Sequence, residues 1–267
     1  MKFGTVIAAF NVLVLCFLGA LFLIPPAMLG LDLAAEFLYG IWFLCPAVLG
    51  AAVWVDIFYV RNRVLYRLLE KEDWPALIQE LEDRVFRRGN YSRRLVKLLA
   101  NTYLVLSDAR GVTELEKKLR MNKAVLVSEN ALVFGAARIL AKDMDGAARF
   151  FAARMEESKN PWLYWYYGFA LLLDRKFAGA AEIFTSLARE SDDGIICGLS
   201  AYFLSETLDK FMPEKALYKI AAEGKARVRA ALKRRSDWKA SLKNIETEVF
   251  AAVLNSYLAK AADYIYQ

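Results

Sequence analysis

Two stretches near the N-terminus carry almost only apolar side chains, and after them apolar and charged positions alternate at helical spacing. Phe3 to Ile24 runs without a charge, and Asn11 is the polar side chain in it that matters. At about 1.5 Å per residue such a helix spans a hydrocarbon core of roughly 30 Å. Pro25-Pro26 is expected to end it. After a short linker through Glu36, a second apolar run extends from Phe37 to Ile57, with Trp42, Trp54, Phe58 and Tyr59 near its ends, where interfacial aromatics belong. The pattern predicts a transmembrane hairpin with spans at residues 3–24 and 37–57. A cleavable signal peptide is the lesser reading, because the run exceeds the roughly 7–15 residues of a signal core and a second span follows at once. Cys16 follows Val14-Leu15 rather than small residues, so it does not read as a lipid-attachment cysteine.

Basic residues set the expected orientation. Lys2 precedes the first run and Arg61, Arg63, Arg67 and Lys71 follow the second, while the linker carries Asp32 and Glu36. Positive-inside logic places both ends in the cytoplasm, which for a bacterial chain means the inner membrane. Asn11 and Asp56 are the polar groups inside the apolar runs, and such groups usually face protein.

The remainder has helical periodicity throughout, so the fold class is all-α. "ALVFGAARILAKDMDGAARFF" stands beside "LYWYYGFALLLDRKFAGAAEIF", and Gly135, Ala147 and Phe151 recur in the same order and at one common spacing as Gly168, Ala180 and Phe184. A period of this length marks stacked helix pairs. The order of glycine, alanine and aromatic resembles the tetratricopeptide repeat. Tyr164, Tyr167 and Gly168 take the first-helix signature, and Ala180 and Phe184 take the second-helix positions. The resemblance implies an α-solenoid of tetratricopeptide-like helix pairs. Fainter pairs are Ser92–Leu106 with Thr113–Leu119 and Ile195–Leu208 with Glu214–Glu223. The expected organisation is a hairpin over 1–60, juxtamembrane and cap helices over 61–90, repeats over 91–223 and capping helices over 224–267. On the last of these, Ile245, Val249, Phe250, Val253, Leu254, Tyr257 and Leu258 form an apolar stripe.

Composition then narrows the function. Of the whole chain, 57% is hydrophobic and 25% charged, with a mean hydropathy of +0.26, which suits an apolar anchor joined to a charged domain. Lys2, Asp32, Glu36 and Asp56 are the charges before Arg61 and contribute −2 to a net charge of +6, so +8 falls on the remainder. There is no histidine, which removes the commonest general base and the commonest transition-metal ligand. Three scattered cysteines, Cys16, Cys45 and Cys197, outline no disulfide framework or metal motif. No phosphate loop, nucleophile elbow or zinc-protease motif is present. The chain is therefore read as a non-enzyme without cofactors.

Two groups of residues are candidate contact sites. The resemblance places Trp162, Trp165 and Phe169, with Leu132 and Tyr202, on a concave groove that binds a protein partner. The alternative is that the C-terminal helix packs there and the aromatics are core, since aromatic stripes are core more often than sites. Arg61, Arg63, Arg67, Arg87, Arg88, Arg93 and Arg94 form a basic, membrane-proximal set suited to anionic lipid. Nucleic acid is disfavoured, because no stacking aromatics interleave with these charges. The expected role is a membrane-anchored adaptor or scaffold in a membrane-associated assembly, such as a bacterial envelope or motility machine. Two alternatives remain: the same fold facing the periplasm, and a membrane subunit of an enzyme or transporter that uses Asn11 and Asp56. The last predicts that Asp56→Asn abolishes function.

Overall fold

A computed structural model of the chain describes residues 3–30, 33, 35, 39–155, 158, 160–246 and 254–267, and among these every regular element is helical. Lys2, Asp32, Glu36 and Phe37, and Val249, Phe250 and Val253 of the C-terminal stripe, lie outside the described residues. The chain divides into two compact units, Met1–Glu80 and Leu81–Gln267. The first thus extends past the expected boundary at residue 60.

In the first unit, α1 (Phe3–Leu29) and α2 (Leu44–Glu70) pack against each other. Both are long and apolar enough to cross a membrane, and nearly all of their apolar surface faces outward. Two boundaries differ from expectation. α1 continues through Pro25-Pro26, although each proline removes one helical hydrogen bond, and it stops about one turn later at Gly30. Gly30 adopts a left-handed φ of 80°, from which its N–H donates to the Pro26 carbonyl at 3.2 Å. The second apolar run is interrupted by a turn at residues 41–43, so α2 begins at Leu44 with Pro46 in its first turn, where a missing N–H costs nothing. Asn11 bonds Asp56, Gly4 approaches Tyr59 and Phe3 packs on Tyr66 at 4.8 Å. The two helices are therefore antiparallel.

The second unit begins within α3 (Trp74–Glu82), which passes into a π-turn over Asp83–Arg87. There follow α4 (Arg93–Val105), α5 (Ala109–Asn122), the short α6 (Val125–Glu129), α7 (Ala131–Leu140), α8 (Met144–Met155), α9 (Pro161–Leu173) and α10 (Phe177–Glu190). Next come α11 (Gly194–Tyr202), with a π-turn over Phe203–Thr207, then α12 (Lys215–Ala231), α13 (Arg235–Glu246) and α14 (Asn255–Tyr266). From α7 to α12 each helix packs on the next, and α9 also packs on α7 and α11. α12 runs unbroken across the expected boundary at 223/224, while α12, α13 and α14 all pack against α11.

The helix junctions repeat. Glu72, Ser107, Lys142 and Arg175 each have positive φ and follow one another at nearly equal intervals along the chain. The residue after each one donates its N–H back to the last turn of the preceding helix: Asp73 to Leu68, Asp108 to Tyr103, Asp143 to Arg138 and Lys176 to Leu171. This is the six-to-one closure that ends a helix in a left-handed residue. At three of the four junctions the same residue caps the next helix, with Asp73, Asp108 and Asp143 accepting from Ala76, Gly111 and Gly146. One dipeptide thus ends one helix and starts another.

Glycines let the paired helices approach. A Cβ on Gly135 would run into the Phe151 ring, and one on Gly168 would lie 2.9 Å from Ile183 and 3.2 Å from Phe184. The recurrent glycine and aromatic thus pack together across adjacent helices. Gly198 accommodates Trp238 in the same way, with the ring 2.7 Å from where a Cβ would stand.

Candidate functional site

The aromatic block on α9 starts from a strong local signal: Asn160 accepts the Trp162 N–H at 3.0 Å and Pro161 occupies the first helical position. The helix then buries nearly every face. Trp165 is fully buried, with Phe169 stacked at 5.2 Å, Phe203 edge-on at 5.5 Å and Phe184 tilted at 5.7 Å. Tyr257 of α14 closes the cluster, 5.7 Å from Phe169 and 5.2 Å from Phe203. Phe203 stands on the π-turn that follows α11. Trp162, Trp165 and Phe169 are therefore core side chains, and the expected open groove is corrected. A helix whose apolar residues run all round is a buried helix, and Tyr257 of α14 packs on its Phe169 ring. Leu132 and Tyr202 are half-buried, with Tyr202 edge-on to Tyr264 of α14 at 6.2 Å.

Two apolar features stay open in this unit. Val105, Leu140 and Leu173 stand two positions before the left-handed residues of three successive junctions, and each is exposed. Beyond them Phe211, also exposed, stacks face to face on Phe177 at 4.4 Å. Phe177 and Phe211 also border a cavity of about 580 Å³ whose floor includes Phe169, Phe203 and Tyr257.

Charged groups are placed less simply than the sequence suggests. Arg61, Arg63 and Arg67 lie exposed on α2 beyond its apolar stretch, in the first unit. In the second unit, Arg87 and Arg88 pair with Asp83 at 3.3 and 2.7 Å, Arg93 pairs with Glu129, and Arg94 is exposed. Among the described residues, Asn11 donates to both Asp56 oxygens, at 3.0 and 3.2 Å, so the two polar groups of the apolar helices satisfy each other. Cys197 is buried and contacts the Ala188 and Gly224 carbonyls, and burial pushes its thiol pKa up, away from reactivity. No group of three or more metal-binding side chains occurs among the described residues.

Glu116 is a feature that sequence reading missed. It occupies the position, nine places past the left-handed residue, that Leu81, Phe151 and Phe184 fill in the other junction units. Its side chain is only 4% exposed, yet it is a carboxylate held by Arg138 at 2.6 Å and Arg120 at 2.6 Å. Arg138 in turn lies over the Phe150 ring at 4.3 Å. Its place becomes visible once the left-handed residues Ser107, Lys142 and Arg175 are set in register.

Comparison with known proteins bears on the same unit. The family model described as "Uncharacterised Treponema protein" matches residues 111–267. A protein of Treponema pallidum (strain Nichols), described as "Uncharacterized protein", is 32% identical over 219 residues, covering 80% of this chain and 68% of its own length. The chain belongs to this Treponema family. The tetratricopeptide resemblance is accordingly withdrawn as a family assignment, since the matching model is the Treponema one and no tetratricopeptide model matches. What produced the resemblance is the glycine-to-aromatic packing between neighbouring helices, a steric solution open to any stack of paired helices. The family match begins at Gly111, at the start of α5, and contains Glu116, Gly135, Gly168 and Trp165. No solved structure matches the chain.

Proposed function

We propose that this Treponema-family protein is a membrane-anchored scaffold: the α1/α2 hairpin lies in a bilayer and the helical unit that follows presents a surface to a protein partner. The observation that carries the reading is the outward apolar surface of the hairpin. Leu13 and Leu23, 67% and 73% exposed, represent a surface far larger than the few hundred Å² that a water-soluble protein leaves bare. Antiparallel spans with the polar Asn11 and Asp56 turned to each other satisfy the demands of a hydrocarbon solvent. Arg61, Arg63 and Arg67, on α2 beyond its apolar stretch, favour a cytoplasmic position for the second unit. A reporter fused after Gln267 reads out that side.

In this reading the second unit is a stack of helix pairs of the solenoid type, for which the repeated junctions and successive helix contacts speak. The partner surface is the junction edge marked by Val105, Leu140 and Leu173, with Phe211 beyond them, because an apolar position left bare at three successive junctions suits an elongated protein ligand. The test is crosslinked capture from detergent-solubilised membranes, comparing wild type with a Leu140→Ser, Leu173→Ser variant. These side chains are exposed, so helical circular dichroism and membrane level are expected to hold. Loss of a captured partner supports the edge as the contact surface. A folded variant that keeps every partner refutes it.

A further inference from the structure

We propose that the end of the hairpin where α1 begins is a binding site for an anionic phospholipid headgroup, its phosphodiester held between Arg63 and Arg67 and its net negative charge matched by their excess over Glu70. This rests on the membrane-anchoring reading. At that end a cavity of about 320 Å³ is lined by Thr5, Tyr59, Arg63, Tyr66, Arg67 and Glu70. Arg63 and Arg67 are one helical turn apart, so both guanidinium groups reach the same side of α2. Both are exposed, and neither has an ion-pair partner among the described residues. Glu70 is engaged by the Phe3 backbone N–H, leaving the cavity with two cations against one carboxylate. The N-terminal end of the long α1 adds the partial positive charge of its helix dipole. Tyr59 and Tyr66 stack at 6.0 Å on the wall, and the Tyr59 hydroxyl lies 3.1 Å from where a Gly4 Cβ would stand.

Depth selects a lipid over a soluble anion. Because the helices are antiparallel, Arg63 and Arg67 of α2 stand level with the first turn of α1, where the long apolar run of α1 has already begun. Phe3 and Val6 on α1, and Val60 and Val64 on α2, are exposed around the cavity. A headgroup phosphate seated there would have its acyl chains against apolar surface, an arrangement that free phosphate cannot exploit. Arginine provides the planar fork that phosphate oxygens accept.

The experiment reconstitutes the full chain in phosphatidylcholine vesicles and measures, by electron paramagnetic resonance, the immobilised fraction of spin-labelled phosphatidylglycerol against spin-labelled phosphatidylcholine. Wild type is expected to prefer phosphatidylglycerol by roughly tenfold, the order of effect of two basic groups at a membrane surface. Arg63→Gln, Arg67→Gln should bring the ratio near unity, while Arg87→Gln, Arg88→Gln leaves it unchanged. Arg63→Lys, Arg67→Lys should retain part of the preference and covers the case in which the glutamine variant fails to insert. Excess inorganic phosphate should leave the wild-type ratio intact. An inserted wild type without preference, a preference indifferent to the glutamine pair, or one abolished by inorganic phosphate would each overturn the site. A chain stripped from the vesicles by alkaline wash would instead refute the anchoring reading, and the site with it.

Discussion

Glu116 concentrates the energetic tension of the molecule in one side chain. A buried carboxylate loses its hydration, and only the two arginines at 2.6 Å compensate it. Removing the carboxylate alone strands Arg138, so Glu116→Ala should lower stability by about 3 kcal/mol. Replacing both members with apolar groups, as in Glu116→Leu, Arg138→Met, should be near neutral, because the neighbouring junction units place leucine or phenylalanine there. Thermal unfolding of the detergent-solubilised chain, followed by circular dichroism, distinguishes the two. The same assay tests Gly135. With a methyl group forced into the Phe151 ring, Gly135→Ala should cost about 1–3 kcal/mol, whereas Gly50→Ala, which meets nothing within 4 Å, should be silent or slightly stabilising.

At the scale of elements, three of the four left-handed junctions join a left-handed stop to a side-chain cap in adjacent residues. Asp143→Ala removes the acceptor of the Gly146 N–H and should destabilise by about 1 kcal/mol. Lys176 stands at the matching position without capping its helix, so Lys176→Ala should cost less than Asp143→Ala in the same melt. Element existence was legible in the sequence, because apolar periodicity and run length are direct consequences of burial. α1, α2 and the pairs around α7 to α10 follow from it. The junctions were not legible. Glutamate, serine, lysine and arginine in left-handed conformations carry no compositional mark, and they became visible only through shared backbone geometry. Pro25-Pro26 misled for the opposite reason: proline is a strong local signal, yet here the helix runs about one turn further and the left-handed Gly30 ends it.

For the molecule as a whole, buried tyrosines couple folding to alkali. Burial holds the Tyr166 phenol well above its ordinary value of 10.0, and burial together with the Glu82 hydrogen bond at 2.5 Å does the same for Tyr103. Folded pKa values that exceed the unfolded ones mean stability that is complete below about pH 10 and falls as pH rises further, since only the unfolded chain readily gives up these protons. Ultraviolet titration should therefore show part of the tyrosine ionisation delayed and then released together with unfolding. Tyr103→Phe, Tyr166→Phe should make that step shallower. The aromatic site was legible as a cluster but not in its role, because a helix rich in tryptophan and tyrosine looks alike whether it faces a ligand or another helix. Only α14, arriving from the far end of the chain with Tyr257, separates the two. That closure also gives the protein an optical gauge of its own. Trp165 sits dry among rings, its indole nitrogen without a hydrogen-bond partner among the described residues, and Tyr257 of α14 packs on two of those rings, Phe169 and Phe203. Any event that lifts the C-terminal helix would let water reach that indole, and the emission would move to the red without an added label.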